Sequence, residues 1–518
     1  MKSIKTICTT IALSISVSAF GIELTDLKEK VESCSPEIMA HITSQLCGCS
    51  MEDAIDVKDS FILLGLNVNP WELKKRDTQG RKKIYEAVEG GDYSMLEELS
   101  KSSKEPIVLN LRDLNKSPDT CAKFITTVAI IINQNNHINE VDLASNFLDN
   151  YGAEILGKAL EVNTSLTQLD LAHNNIGDDG AFFIASVLKK NTTLNKVDLA
   201  SNFLDNYGAE ILGKALEVNT SLTHLNLDSN DIGDDGAFFI ASALKKNTTL
   251  NSLILSFCKI KNPGTKALAE ALKVNSSLSL LDLSNNREIS EEGLKSMAEA
   301  LRVNQTLAFL SLNEIRKVSR RDIVLVRSLD SQMDEYGHVK SYGLKALAEA
   351  LKVNTTLKYL SLISAVINDS EASELAEALK VNRGLKALDL SFNAIRDSGI
   401  KAIMEALKTN ATLEYLGLFC KVDLEFPTMG AISEVLKTNT TLKYLELNFK
   451  FLKDLKRIKV IAEALKVNKT LKYLGFTGND CRNIFKKALE ANKESAIEKP
   501  FDASYTLRDF WEESQAVK

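Results

Sequence analysis

A leucine-spaced phrase recurs through this chain. Aligned on the residue that opens each copy, units begin at 138, 166, 194, 222, 250, 278, 307, 357, 385, 413, 442 and 471, a step of 28 or 29 residues with one exception. Each opens L-x-x-L-x-L-x-x-N, as in Leu166, Leu169, Leu171 and Asn174 of LTQLDLAHN, and continues through a turn into a segment such as GAFFIASVLKKN. The opening alternates with period 2 and the continuation spaces apolar residues at i, i+3 and i+4, so a strand is followed by a helix. A single unit cannot bury the apolar faces of both elements, so neighbours must stack. The pattern predicts an α/β solenoid with one strand and one helix per unit.

These units resemble leucine-rich repeats of the ribonuclease-inhibitor type, and are similar to the repeat domains of NOD-like receptors and of bacterial leucine-rich repeat effectors. The resemblance covers about 138 to 495 and implies a right-handed horseshoe with its sheet on the concave side. The ninth place, Asn or Cys in such repeats, is held by Asn146, Asn174, Asn202, Asn230, Cys258, Asn286, Asn393 and Asn479, but by Ile315, Ala365, Lys421 and Lys450 elsewhere. These departures predict an irregular carboxy-terminal half.

A second asparagine also keeps the period: Asn163, Asn191, Asn219, Asn247, Asn275, Asn304, Asn354, Asn410, Asn439 and Asn468, each just before the next unit's leucine. Triplets such as Asn354-Thr355-Thr356 read as glycosylation acceptors. Asn382 remains although Gly384 destroys its triplet, so the residue is kept for structure. Asparagine tolerates the left-handed conformation that ends helices, and that is its expected role here.

VDLASNFLDNYGAEILGKALEVNTSLT occurs at 141 to 167 and again, unchanged, at 197 to 223. Function is therefore sought where copies differ. The strand leucines point to the core, so the third and fifth places project from the other face. The third places read Glu140, Gln168, Lys196, His224, Ser252, Leu280, Phe309, Tyr359, Ala387, Tyr415, Tyr444 and Tyr473, and the fifth include Asp142, Asp170, Asp198, Asp282, Asp389 and Glu446. Strands about 4.8 Å apart would spread the aromatic stripe over roughly 24 Å. One end of the face is expected to be acidic, with Asp142, Asp170 and Asp198 repelling one another, and the other aromatic. Exposed aromatic rows suit recognition, so Phe309, Tyr359, Tyr415, Tyr444 and Tyr473 are the main expected partner-binding residues.

The long unit from 307 carries an insertion near 314–340 that begins basic, with Arg316, Lys317, Arg320, Arg321 and Arg327, and ends acidic. It is expected on one rim, as a functional loop over the aromatic half or as a loose segment. Arg320 and Arg321 join the expected partner-binding residues.

Ahead of the repeats, Lys2 and Lys5 precede the apolar run TICTTIALSISVSAFG, which ends in small residues near Gly21. This reads as a secretory signal peptide over 1–21 and predicts a secreted or periplasmic protein. Residues 22–105 read as a small helical region, 106–137 as a capping unit for the array, and 496–518 as a carboxy-terminal cap or tail. Export would permit a disulfide from Cys34 to Cys47 or Cys49; with His41 these cysteines match no standard zinc spacing.

With 44% apolar and 25% charged residues and a net charge of −6, the chain offers no general electrostatic attraction to nucleic acid or anionic lipid. No later stretch is apolar enough to span a bilayer. No HExxH, phosphate-cradling GxxxxGK or GxSxG occurs, and neither His173, beside the ninth place, nor His224 has an activated nucleophile for a partner. No cofactor, metal or enzymatic activity is expected. The expected function is a protein-interaction scaffold that binds its partner on the concave face, exported by a bacterium and acting on a host protein. The alternative is a GTPase regulator, since the Ran GTPase-activating protein carries similar repeats.

Overall fold

The computed structural model describes residues 107–113, 118–134, 136–315, 342–419, 424–448, 455–477, 484–485, 487–488 and 492. The expected signal segment, the helical region with Cys34, Cys47 and Cys49, the insertion with Arg320 and Arg321, and the tail lie outside them. The chain divides into two compact units between Asn174 and Asn175.

The first unit contains β1 (Ile107–Asn110), α1 (Pro118–Gln134), β2 (Ile138–Asp142), α2 (Asn150–Leu160) and β3 (Gln168–Asp170). β1 pairs parallel with β2, and β2 with β3. The second unit begins with α3 (Asp178–Leu188), β4 (Lys196–Asp198), α4 (Asn206–Leu216), β5 (His224–Asn226), α5 (Gly233–Leu244) and β6 (Ser252–Ile254). It continues through α6 (Asn262–Leu272), β7 (Leu280–Asp282), α7 (Glu291–Leu301), β8 (Phe309–Ser311), α8 (Tyr342–Leu351), β9 (Tyr359–Ser361) and α9 (Asp369–Val381). It ends with β10 (Ala387–Asp389), α10 (Asp397–Leu407), β11 (Tyr415–Leu418), α11 (Phe426–Thr438), β12 (Tyr444–Asn448), α12 (Leu455–Leu465) and β13 (Tyr473–Thr477). β4 to β13 pair in sequence order, all parallel.

The register is the one the repeat dictates. Third place faces third place: Lys196 lies opposite His224, Leu280 opposite Phe309, Tyr415 opposite Tyr444, and Tyr444 opposite Tyr473. Phe309 still pairs with Tyr359 although the intervening unit is long. Leu225, Leu253, Leu281, Leu310 and Leu360, one per strand, are fully buried between sheet and helices. Removing one such leucine side chain costs about 2–5 kcal/mol.

The ninth-place asparagines join units through buried hydrogen bonds. Asn286 Oδ1 accepts from the amides of Cys258 (3.1 Å) and Ile260 (2.9 Å) in the unit before it, and its Nδ2 donates to the carbonyls of Leu255 and Leu283. Where Ile315 and Ala365 take this place they are simply buried. Strand pairing nonetheless continues without a break in register from β8 to β13, so the expected irregularity of this half does not reach its sheet.

The other asparagine series corrects the left-handed expectation. Asn382 and Asn439 have φ of −63° and −75° with extended ψ. They act through their side chains. Asn354 Oδ1 accepts from the amides of Thr356 (3.1 Å) and Leu357 (2.8 Å), while Nδ2 donates to Leu301 O of the preceding helix at 2.7 Å. Asn354 thus holds the turn into its own strand and satisfies a carbonyl left open at a helix end. Asn382 makes the same bonds to Gly384, Leu385 and Leu351, and Asn492, which has no acceptor triplet, donates to Leu465 O at 2.8 Å. The left-handed residue sits instead just before the ninth place, as at His173 (φ 55°) and Ser229 (φ 56°).

A third device was not anticipated from the sequence. Asp234, in the first turn of α5, accepts at Oδ1 from the amides of Lys261 (2.9 Å) and Gly264 (2.8 Å), so it caps α6 of the next unit. Asn262 does the same for Ser290 and Gly293, and Asp369 for Arg396 and Gly399. Glu291 accepts from Gly343 N at 2.6 Å, carrying the pattern across the long unit.

Candidate functional site

The face opposite the leucines is built from one third-place and one fifth-place side chain per strand. The structure gives its parts different characters. In the first unit the expected acidic cluster is not left to repel itself. Arg112 Nε lies 2.9 Å from Asp142 Oδ2, and its Nη2 lies 2.5 Å from Asp170 Oδ2. One guanidinium therefore bridges two carboxylates on adjacent strands, a charge-assisted arrangement that removes their mutual repulsion. In the second unit Asp198 accepts from Asn226 Nδ2 and from Ala200 N, both at 2.9 Å. Arg112 corrects the expected repulsion between Asp142 and Asp170, while Asp198 is held by neutral donors.

β4 and β5 present an open polar surface. Lys196 and His224 are exposed neighbours, and Asp198 and Asn226 beside them are half-buried. Partial burial, then the Lys196 ammonium, pushes the His224 pKa below its usual value, so the ring favours its neutral form. Its Nδ1 lies 2.8 Å from Thr223 Oγ1.

From β8 onward the face is aromatic, as expected, and the rings are neighbours. The ring centres of Phe309 and Tyr359 are 6.1 Å apart, those of Tyr415 and Tyr444 6.4 Å, and those of Tyr444 and Tyr473 6.3 Å. Ala387 occupies the place between Tyr359 and Tyr415. The rings are not an open wall, however. Phe309 and Tyr359 are each 6% exposed, Tyr415 is 0% and Tyr473 2%. Phe309, Tyr359, Ala387 and Tyr415 form a buried apolar cluster, with Leu280 and the half-buried Tyr444 packed against it. The expected exposure of the stripe is corrected: these side chains gain more from burying ring area among themselves than from facing water.

A buried carboxyl lies inside this half. Asp389 Oδ1 accepts from Ser391 N at 2.9 Å, and Tyr415 Oη donates to Asp389 Oδ2 at 3.4 Å. Burial raises the Asp389 pKa above the ordinary carboxylate value, against the opposing pull of its Ser391 and Tyr415 hydrogen bonds. Gly417 leaves room for it, since a Cβ there would run into the Asp389 carboxylate. Burial likewise raises the Tyr415 pKa, with Asp389 and Glu446 adding to the shift. Asp389 entered the sequence reading only as one of several fifth-place acids, and nothing in its motif marks it as the enclosed one.

Among the described residues, no group of three or more His, Cys, Asp or Glu could hold a metal ion. Cys258 is buried in a ninth-place role, and burial pushes its thiol up to about 12, far from a reactive thiolate. No helix among the described residues is long and apolar enough to cross a membrane.

Comparison with known proteins identifies the repeat. A leucine-rich repeat family model matches residues 162–185, 218–241, 246–269 and 274–298, and a TMOD/LMOD leucine-rich domain model matches 336–422. No curated protein sequence matches the chain. Among solved structures, the Rad7 and Elc1 complex in yeast is similar at 14% identity and TM-score 0.44, covering 90% of this chain and 94% of that one. An internalin, inlF, from Listeria monocytogenes is similar at 15% identity and TM-score 0.39, covering 82% and 95%. The actin-binding site 2 of leiomodin-1 is similar at 22% identity and TM-score 0.21, covering 39% and 99%. Likenesses this distant say nothing of what the present chain binds. The repeated strand-and-helix units, in register and joined by asparagine side chains, together with the matching family models, make this chain a leucine-rich repeat protein.

Proposed function

We propose that the chain is a non-enzymatic protein-interaction scaffold that holds its partner on the sheet face opposite the leucines. The observation that carries this reading is the separation of constant from variable positions. Leucines, asparagines and helix caps recur from unit to unit, while the face changes from the open Lys196, His224, Asp198 and Asn226 to the aromatic rows. A surface that varies on a fixed frame suits recognition of one partner.

In this reading Phe309, Tyr359, Tyr415 and Tyr473 form a firm floor, and the half-buried Tyr444 is the ring within reach of a partner. Asp142 and Asp170, held by Arg112, offer a fixed polar contact in the first unit. The strand and full helix of each 28 to 29-residue unit support assignment to the ribonuclease-inhibitor type. The signal-like opening supports export from a bacterium, with a host protein as the partner. Cell fractionation, followed by partner recovery with the exported chain and alanine substitution at His224 and Tyr444, tests the reading. Unchanged affinity in both variants overturns the site, and stimulated GTP hydrolysis by a recovered GTPase would put a GTPase regulator in place of the scaffold.

A further inference from the structure

Two blocks of the sequence are the same letter for letter, and the face changes at their ends. Residues 141–167 and 197–223 are identical, so both blocks make the same demands on their packing. The third places that flank them differ, with Glu140 and Gln168 around the first block and Lys196 and His224 around the second. The fifth place that follows differs too, Asp170 after the first and Asn226 after the second. The change is confined to side chains on the face.

Lys196 and His224 pair in register on β4 and β5, and both are exposed. Thr223, just ahead of His224, donates its hydroxyl hydrogen to Asn195 O at 2.9 Å. Thr167 donates to Asn139 O at 2.9 Å in the same way, although Gln168 and not a histidine follows it, so this bond belongs to the strand and does not depend on the ring. With its one hydrogen committed, Thr223 Oγ1 acts as the acceptor in its 2.8 Å contact with His224 Nδ1. Nδ1 therefore carries the proton of the neutral ring, and Nε2 is left as a bare acceptor.

The surroundings of this pair are fixed. Asp198 on β4 accepts from Asn226 Nδ2 at 2.9 Å, and Asn226 Oδ1 accepts from Asp228 N at 3.0 Å, which pins the amide. On the other side of His224 the register partner is Ser252 of β6, a buried and uncharged residue. The charged groups beside the ring are thus Lys196 and Asp198. Lys196 forms no ion pair among the described residues, which leaves its ammonium as a donor one strand away from the bare Nε2.

We propose that Lys196 and His224 hold a side-chain carboxamide of the partner, from an asparagine or a glutamine, whose oxygen accepts from Lys196 Nζ and whose N–H donates to His224 Nε2. The two side chains rise from strands about 4.8 Å apart, and a carboxamide carries the matching acceptor and donor on one planar group. A carboxylate satisfies Lys196 but sets lone pairs against Nε2. An ammonium or guanidinium group satisfies Nε2 but meets the Lys196 charge. A main-chain peptide points its N–H and C=O in opposite directions and fills one place at a time. Thr223 is a positioning residue, because it fixes which ring nitrogen is bare. The proposal rests on the scaffold reading and names the chemistry of one partner contact.

Nitrogen NMR of the full chain should find His224 protonated at Nδ1 and bare at Nε2, and Thr223→Val should lose that preference. The binding probes are glutamine, glutamate and lysine, each capped as the N-acetyl, N-methylamide derivative so that only the side chain differs. At neutral pH the glutamine probe should shift the signals around His224 saturably, and the glutamate and lysine probes should bind about tenfold more weakly, the worth of one hydrogen bond. Lys196→Met and His224→Phe should each weaken the glutamine probe by a similar factor. As pH falls through the histidine's lowered value, Nε2 gains a proton, so glutamine binding should weaken and glutamate binding strengthen. Misfolding cannot produce that reversal. A resting ring protonated at Nε2, a glutamate probe that binds as tightly as glutamine at neutral pH, or no binding by any probe overturns the proposal. If a recovered partner weakens with His224→Ala while the probes show no preference for glutamine, the carboxamide assignment fails and the scaffold reading stands. If the partner responds to neither His224→Ala nor Tyr444→Ala, the scaffold site fails as well.

Discussion

Asp234 caps a helix it does not belong to, and Gly264 is the residue that lets it. The carboxylate lies one unit ahead of α6 yet accepts from the Gly264 amide at 2.8 Å. A Cβ at Gly264 would lie 2.6 Å from Asp234 Oδ1, 2.9 Å from Ile260 Cγ2 and 3.0 Å from Ala237 Cβ. Gly264→Ala should therefore destabilise the array by about 2 kcal/mol through overpacking, and Asp234→Ala by about 1 kcal/mol through the lost cap. Because removing Asp234 relieves part of the clash, the double variant should lose less than the sum, which urea midpoints will show.

Asn354 should matter for its amide and not for any sugar. Asn354→Ala strands the buried carbonyl of Leu301 and the amides of Thr356 and Leu357, at a cost of about 2–3 kcal/mol. Thr355→Ala leaves those bonds and the acceptor triplet intact, whereas Thr356→Ala abolishes the triplet and should cost under about 1 kcal/mol. Thermal unfolding of the three variants checks the order, and mass spectrometry after expression in a glycosylating host should find no sugar on the folded residue.

The two tyrosines of β11 and β12 should part company. Tyr415 is fully buried, so Tyr415→Ala is expected to cost about 3–4 kcal/mol of stability. Tyr444 is half-buried, and Tyr444→Ala should reduce partner affinity more than it reduces stability. Denaturation curves alongside titrations with a recovered partner separate the two effects.

Asp389 predicts a direction for pH dependence. Its pKa is raised in the fold by burial, so the folded state holds the proton more tightly than the unfolded chain does. Stability linked to this group is fully present below the ordinary carboxylate pKa and is lost as pH rises through the raised one. Asp389→Asn should therefore be more stable than the parent at neutral pH, with the gap closing as the pH is lowered. Chemical denaturation across that range measures the gap; a constant difference would mean that Asp389 ionises in the fold as it does in the unfolded chain.

The frame was legible because each of its rules is local and repeated. Leucine spacing fixed the strands, and the third-place alignment of Lys196 with His224 and Tyr415 with Tyr444 reappears as strand register. What escaped the sequence are contacts one or two repeats apart whose partners carry no shared signature. Arg112 meets Asp170 across 58 residues, and Asp234 meets Gly264 across 30. The asparagine before each leucine was rightly assigned to structure but wrongly to a left-handed backbone, because its side chain does the work from an extended one. The burial of the aromatic rows was missed for a simpler reason: periodicity says which face a ring takes, and says nothing of whether that face meets water.

The most direct test is a set of affinities for one recovered partner. Substitutions are placed on the sheet face, at Lys196, His224 and Tyr444, and on exposed helix-side residues, at Phe182, Phe238 and Val274. The account predicts that the face variants weaken binding about tenfold or more while the helix-side variants leave it unchanged. Loss confined to the helix-side set would contradict it and move recognition to the opposite surface.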